Sequence, residues 1–281
     1  MKFSVTSVII PDLDVVETCQ LLQRLGFDGV EWRVRYTPPN AEGFSMWGRH
    51  KTDLSPDNIA SEAKTVRRIT EDYGLSIPMI ASNVTADDTE TIKKLADGAA
   101  LLGNVPIRVG APTRYDGTRS YWELYDEAVQ AYGHALEILR AAGQRAIVEI
   151  HGGTILVSAS FAYRLLSNFS SSEIGVIYDV NNMAKDGFET FKMGIELLGE
   201  YLWHCHAGGW RPVPQSVNSG ETLWTYEGCN LSESILDIRQ FVSDLMVSGY
   251  DQFISIEDFR DIGYDEKLLP QLNYLREVVA S

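Results

Sequence analysis

Residues 145–179, RAIVEIHGGTILVSASFAYRLLSNFSSSEIGVIYD, are the stretch that decides the fold. Two short apolar runs rich in Val and Ile, 145–150 and 174–178, are typical of buried strands. The amphipathic segment 158–168 between them predicts a helix. A strand, a helix and a second strand in this order make the unit from which parallel sheets are built.

The same unit recurs along the whole chain. Eight predicted strands, each followed by a predicted helix, are FSVTSVII (3–10), DGVEWRV (28–34), LSIPMIAS (75–82), VPIRVGAP (105–112), RAIVEIHG (145–152), IGVIYDV (174–180), YLWHCHA (201–207) and QFISIED (252–258). No linker rich in Pro, Gly or Ser separates them. We therefore predict one closed (β/α)8 barrel over residues 1–281 rather than two domains. An open doubly wound sheet is the alternative, but its glycine-rich phosphate turn is missing after the first strand.

Two of the connections are longer than usual. They cover residues 35–56, after strand two, and residues 207–230, after strand seven. Both follow the carboxyl ends of strands, where barrels of this type keep their active sites. Because both contain aromatic residues among Gly and Pro, we expect lids or subunit-contact loops rather than disordered segments.

Charge and composition narrow the class of partner. The 24 Lys and Arg residues against 39 Asp and Glu residues give a net charge of −15, which opposes binding to nucleic acid or to an anionic membrane. The apolar run near the start is short and followed by acidic residues, unlike a signal peptide, and no run has the length of a membrane span. Three widely spaced cysteines without a CxxC pair predict reduced thiols in a cytoplasmic protein.

Ionisable residues end four successive predicted strands. They are Glu149, His151, Asp179, His204, His206 and Glu257. Residues two apart in a strand share a face, so Glu149 accompanies His151, and His204 accompanies His206. If that face is the barrel interior, three carboxylates and up to three imidazoles meet at one place.

Buried carboxylates that lie side by side need protons or a cation to neutralise them. We predict one divalent metal ion, with Mn²⁺ favoured and Mg²⁺, Co²⁺ or Zn²⁺ also compatible with the ligands. Simpler interpretations exist for single residues: Glu149 could pair only with Arg108, and Asp179 could only cap the following turn. His204 lies one pleat deeper than His206, which favours a hydrogen-bonded interior position for His204.

The motifs GFDGVEWRV, VEIHGG, YDVNNM, HCHAGG, YEGCNLSESI and SIED together resemble the xylose isomerase-like TIM barrels, a superfamily of sugar isomerases and epimerases that also contains dehydratases and endonuclease IV. The resemblance runs from about residue 3 to residue 262. It implies a metal bound by Glu149, Asp179, His206 and Glu257. It also implies that Glu149 and Glu257 move the substrate proton.

The segments beside these ligands differ from the epimerase pattern. Asn182 stands where the epimerases have a histidine, and the sequence AGGWR after His206 leaves Arg211 as a shifted candidate for their arginine. The predicted substrate-binding residues are His151, Asn182, Arg108, Arg211, Trp32 and His204. Trp47 and Trp210 are further candidates for stacking on a sugar ring.

These residues together predict a cytoplasmic, metal-dependent isomerase or epimerase of a small sugar or polyol ketone. Proton abstraction next to a carbonyl that the metal polarises would give an enediolate. The alternative is a dehydratase or lyase acting on an inosose, 3-dehydroshikimate or a 3-keto sugar. An abasic-site endonuclease and a non-catalytic barrel are weaker alternatives. We expect a homo-oligomer, either a dimer or a tetramer.

Overall fold

The eight predicted strands form a closed parallel barrel. A computed structural model describes residues 1–187, 189–216 and 220–281. The barrel strands are β1 (Lys2–Thr6), β2 (Gly29–Arg33), β3 (Ile80–Ala81), β4 (Ile107–Arg108), β5 (Ala146–Glu149), β6 (Ile174–Asp179), β7 (Leu202–Ala207) and β10 (Phe253–Ile256). Their order around the barrel is β1-β10-β7-β6-β5-β4-β3-β2. The predicted (β/α)8 fold is confirmed.

The helices surround this barrel. They are α1 (Val15–Leu25), α2 (Ile59–Asp72), α3 (Thr89–Leu102), α4 (Tyr121–Ala141), α5 (Ala159–Leu166), α6 (Val180–Asp186), α7 (Phe191–Leu198), α8 (Ile238–Val247) and α9 (Tyr264–Ala280). Their apolar faces and the outward faces of the strands form the main core, which includes Val5, Ile80, Val148 and Leu272. None of the described helices has the length and apolar character that crossing a membrane requires.

The residues before α1 and α2 suggest helix starts that differ from the structure: Asp12 as the cap of α1, and Ser55 as the cap of α2 with Pro56 at its first position. Asp14 caps α1 instead, because Asp14 and Glu17 exchange backbone and side-chain hydrogen bonds of 2.9 Å in a capping box. The segment at Ser55 and Pro56 lies in a turn before α2, where the Ser55 amide donates to the Asn58 side chain at 2.8 Å. The helix therefore starts later than proline at its first position would predict.

The long connection after β7 is not a loop. It forms an antiparallel hairpin of β8 (Gly209–Gln215) and β9 (Leu223–Cys229), and residues 217–219 of the predicted loop lie outside the described residues. Glycine is needed at its base, because a Cβ atom at Gly208 would collide with the Glu257 carbonyl and the Asn181 side chain. This close approach gives a physical reason for the sequence AGG after His206.

Candidate active site

Four side chains from four neighbouring strand ends converge at the carboxyl end of the barrel. The four are Glu149, Asp179, His206 and Glu257, and they place one potential ligand atom each within 4.8 Å of the others. We call them the acidic cluster. Asp179 and His206 are direct register partners on β6 and β7. The parallel barrel therefore brings together residues that are 108 positions apart in sequence, from 149 to 257.

His206 lies at the centre of this cluster. Its Nδ1 atom is 3.4 Å from Glu149 Oε1, 3.3 Å from Glu257 Oε1 and 3.9 Å from Asp179 Oδ2. The ring is 2% exposed, and neither ring nitrogen has a hydrogen-bond partner among the described residues. An unpartnered imidazole nitrogen that faces three buried carboxylates fits a divalent cation, which would accept the nitrogen and neutralise the carboxylates.

The carboxylates titrate differently because their surroundings differ. Burial and the neighbouring carboxylates hold the pKa of Asp179 well above its usual range. Burial also raises the pKa of Glu257 to about 7, although His206 opposes the shift. For Glu149, the attraction of Arg108 and His206 outweighs burial and lowers the pKa below its usual range. The cluster thus contains one ionised carboxylate and two that hold protons more tightly.

A further buried carboxylate supports His206 from behind. Glu31 Oε1 on β2 lies 2.5 Å from His204 Nε2 and 3.3 Å from His206 Nε2, and Glu31 is fully buried. His204 Nε2 also lies 3.2 Å from Ser255 Oγ. A carboxylate on the outer nitrogen of a metal-binding histidine fixes its tautomer and orientation. Glu31 was not predicted, although an acidic residue inside an apolar strand is the same signal that identified Glu149.

Glu149 and Glu257 of the acidic cluster line a cavity of about 580 Å³. Other lining residues are Val8, Arg35, Trp47, Ser82, Asn83, Thr85, Arg108, Arg114, His151, Asn182, Trp210 and Phe259. The volume suits a small polar molecule. Of the predicted substrate-binding residues, Arg108, His151 and Asn182 therefore reach the cavity.

Arg108 and Asn182 both contact residues of the acidic cluster. The Arg108 guanidinium pairs with Glu149, and the Asn182 side chain donates to Asp179. Asp179 also accepts the Asn182 backbone amide at 3.0 Å, so it caps α6 and faces the cluster at once. The pairing of Glu149 with Arg108 and the capping role of Asp179 are therefore both present, and both are compatible with membership of the acidic cluster.

Three other candidates lie away from the cavity lining. Trp32 is fully buried and its Nε1 donates to Thr70 Oγ1 of α2 at 3.1 Å, so the ring packs between barrel and helices. Arg211 is exposed and pairs with Glu227 across the hairpin at 2.5 Å. His204 lies below the cavity with Glu31. Successive side chains of a strand point to opposite faces, so Trp32 of β2 faces the helices whereas Glu31 and Arg33 face the barrel interior.

The loop after β2 covers part of the cavity entrance. Trp47 stacks on Phe259 with ring centroids 5.3 Å apart, and both rings line the cavity. The Arg33 Nη2 group donates to the Gly48 carbonyl at 2.9 Å, which anchors the loop from below. From the hairpin side, Trp210 lines the cavity and its ring centroid lies 4.0 Å from Lys185 Nζ.

Comparison with known proteins gives a family and a set of similar folds. Residues 19–278 match the model of a family described as xylose isomerase-like TIM barrel. No curated protein matches the sequence. A 3-keto-D-glucoside 4-epimerase from E. coli has a similar structure, with 13% sequence identity, a TM-score of 0.71 and 99% of each chain covered.

Two further structures are equally similar. A probable 3-DHS dehydratase from Bacillus anthracis is 16% identical, with a TM-score of 0.72 over 100% of this chain and 99% of that chain. The IolI protein, solved with a bound zinc atom, is 13% identical, with a TM-score of 0.73 over 100% of this chain and 97% of that chain. At these identities the likeness establishes the fold.

Proposed function

Because the chain belongs to the xylose isomerase-like TIM barrel family, we propose that it is a divalent-metal-dependent isomerase or epimerase of a small sugar or polyol ketone. The observation that carries this proposal is the acidic cluster at the base of the cavity, where an unpartnered His206 nitrogen faces three buried carboxylates. Without a cation, the cluster depends on Arg108 and on the protons that Asp179 and Glu257 hold.

The proposed metal ligands are Glu149, Asp179, His206 and Glu257. Three carboxylates and one imidazole form an oxygen-rich set, for which Mn²⁺ is our first choice. The zinc in the IolI structure supports a divalent ion in this fold. When bound, such an ion supplies Lewis-acid polarisation of a substrate carbonyl and of a neighbouring hydroxyl group.

The chain itself supplies the proton transfer. We assign Glu149 as the base that takes the proton next to the carbonyl, because Arg108 keeps its carboxylate ionised. We assign Glu257 as the group that returns a proton, because its carboxylate lies on the same His206 nitrogen as that of Glu149, at 3.3 Å and 3.4 Å. His151 and Asn182 line the cavity and orient substrate hydroxyl groups.

Proton exchange tests this function. The Mn²⁺-loaded protein is incubated in D₂O with ketopentoses, ketohexoses, 3-keto sugars and keto sugar acids, and incorporation of deuterium next to the carbonyl is followed by NMR. Glu149→Gln should abolish exchange while circular dichroism and the melting temperature stay native. Glu227→Gln, the same change in an exposed residue of the hairpin, is the control. Unchanged exchange in Glu149→Gln would contradict the mechanism.

The same experiment separates isomerisation from elimination. Both reactions begin with loss of the proton to Glu149, so exchange alone does not distinguish them. An isomerase or epimerase returns a product of the same composition as the substrate. A dehydratase releases a product that lacks one water, which mass spectrometry detects directly.

A further inference from the structure

Two arginines near the ends of β2 and β4, Arg35 and Arg108, line the cavity, and the buried Arg33 lies near Arg35. Arg33, the last residue of β2, shares the interior face with Glu31, and Arg35 continues the same alternation two residues on. Arg33 is 3% exposed and Arg35 is 9% exposed. Arg108 reaches the cavity from β4, two strands away. In a chain with a net charge of −15, this concentration of buried positive charge needs a cause.

Arg35 and Arg108 flank the end of β3. Arg35 Nε donates to the Ala81 carbonyl at 3.1 Å, and Arg108 Nη1 donates to the next carbonyl, that of Ser82, at 3.2 Å. The two guanidinium groups are therefore held near each other on the cavity wall. Burial and the repulsion from Arg108 and Arg33 lower the pKa of Arg35 to about 9. Two fixed forks of donors side by side form a geometry that suits a carboxylate or phosphate.

The three arginines differ in their partners. Arg108 pairs with Glu149, and Arg33 holds the Gly48 carbonyl. In the part of the chain that the structure describes, Arg35 has no carboxylate within salt-bridge distance, and its side chain makes only the Nε hydrogen bond. A buried guanidinium without a counter-charge is costly, so its partner is expected to arrive with a ligand.

The pairing of the arginines indicates the type of ligand. Arg108 already pairs with Glu149, and Arg33 is outside the cavity lining. Arg35 is therefore the cavity-lining guanidinium of these three that has no carboxylate within salt-bridge distance among the described residues. One negative charge on the substrate would match it, which favours a carboxylate over a doubly charged phosphate.

We propose that the substrate carries a carboxylate group, which Arg35 and Arg108 bind at the end of β3 while the carbonyl end of the molecule faces the acidic cluster. Arg114, an exposed residue of the cavity rim, adds attraction at the entrance. The substrate class is thus a sugar acid or a hydroxy-keto acid rather than a neutral sugar. This inference rests on the proposed function for the position of the metal.

Three small molecules that differ only at one end test the proposal. D-Glycerate, glycerol and glycerol 3-phosphate are titrated into the Mn²⁺-loaded protein by calorimetry. D-Glycerate should bind most tightly, and Arg35→Gln should weaken its binding about 10- to 100-fold, as expected for the loss of a charged hydrogen-bond donor. Arg35→Lys should retain part of the affinity. Arg239→Gln on α8, an exposed arginine paired with Glu277, is the control for the change in net charge.

Several outcomes would overturn the proposal. These are equal affinity for glycerol and D-glycerate, no binding of D-glycerate, tighter binding of glycerol 3-phosphate, or an equal effect of Arg35→Gln and Arg239→Gln. If Arg35→Gln does not fold, Arg114→Gln on the exposed rim replaces it in the test. The affinity of Arg114→Gln for D-glycerate should be severalfold weaker than that of the native chain, and an unchanged affinity would overturn the proposal.

Metal titration separates this proposal from the proposed function. Arg35→Gln should bind Mn²⁺ as the native chain does. Proton exchange on neutral ketoses without binding of D-glycerate would remove only the carboxylate inference. Binding of D-glycerate that depends on Arg35 in a protein without metal affinity would remove only the proposed function.

Discussion

The cavity has two chemically opposite halves that the same barrel builds in the same way. The ends of β5, β6, β7 and β10 carry the acidic cluster, whereas the end of β2, the residue after Val34 and the end of β4 carry Arg33, Arg35 and Arg108. The side chains on both halves are buried or partly buried. The two halves differ in the partner that they need. Three carboxylates near one histidine need a cation, and a guanidinium without a carboxylate needs an anion.

This contrast indicates how a barrel separates the two ends of a polar substrate. The acidic half is suited to a metal and to proton transfer, and the arginine half is suited to holding a group that does not react. Arg108 connects the two halves, because it lines the arginine half and pairs with Glu149 of the acidic cluster. Substitutions that affect one half and spare the other therefore test the division.

The largest effect is expected in the acidic half. Asp179→Ala removes one of the four proposed ligands, and metal affinity should fall by more than the about 10- to 100-fold loss that follows removal of an outer partner. Competition with a chelating dye measures the dissociation constant. Asp251→Ala, a change at an exposed residue, is the control. Native metal affinity in Asp179→Ala would mean that the ion binds elsewhere.

Arg108→Gln tests the connection between the halves. Without metal, the substitution leaves Glu149 buried and unpaired, and we expect the free energy of unfolding to fall by about 3 kcal/mol. With Mn²⁺ present the loss should be smaller, because the ion also neutralises Glu149. Urea unfolding with chelator and with Mn²⁺ gives both values. Arg119→Gln, which breaks an exposed pair with Glu127, should leave the free energy of unfolding nearly unchanged in either condition. An equal loss of unfolding free energy in both conditions would mean that Mn²⁺ does not replace Arg108 as the partner of Glu149.

Glu31→Gln tests whether Glu31 on β2 supports the acidic half or the arginine half of the cavity. Glu31 shares its strand with Arg33 but contacts His204 and His206, so its loss should affect the metal and not the anion. We expect metal affinity to decrease about 10- to 100-fold, because His206 loses the carboxylate that orients it. Glu71→Gln on the exposed face of α2 provides the comparison. If D-glycerate affinity fell instead, Glu31 would act on the arginine half.

The sequence was sufficient for the barrel and for the members of the acidic cluster. Val and Ile runs with period two and capped helices are local signals, and charged residues at apolar strand ends mark the interior of a closed sheet. Asp179 and His206 could be placed together because parallel strands end at one rim. The hairpin β8–β9 was missed because both strands are largely exposed and lack alternating apolar residues. In addition, β8 contains Pro212 and Pro214, which are unusual inside a strand.

The arginine half was harder to predict for a different reason. Arg108 was identified, but Glu31, Arg33 and Arg35 alternate along DGVEWRVR with the outward residues Trp32 and Val34, and either face of such a strand could be the interior. Trp32 was chosen for the cavity, while the structure packs it against α2. The choice depends on which face meets the helices, and that is a property of the assembled barrel rather than of the strand.

The smallest expected effect lies at the entrance, above both halves. Trp47 is 64% exposed yet stacks on Phe259, so the pair can partly enclose a ligand without touching the metal site. Trp47→Ala should raise KM about 2- to 10-fold, equivalent to the energy of one aromatic contact, for the substrate that the exchange assay identifies. The turnover number and metal affinity should stay native, because both depend on groups below the entrance. Trp224→Ala, an equally exposed tryptophan on β9 outside the cavity lining, should leave KM unchanged. A fall in turnover number for Trp47→Ala would instead mean that the loop after β2 takes part in the proton transfer itself.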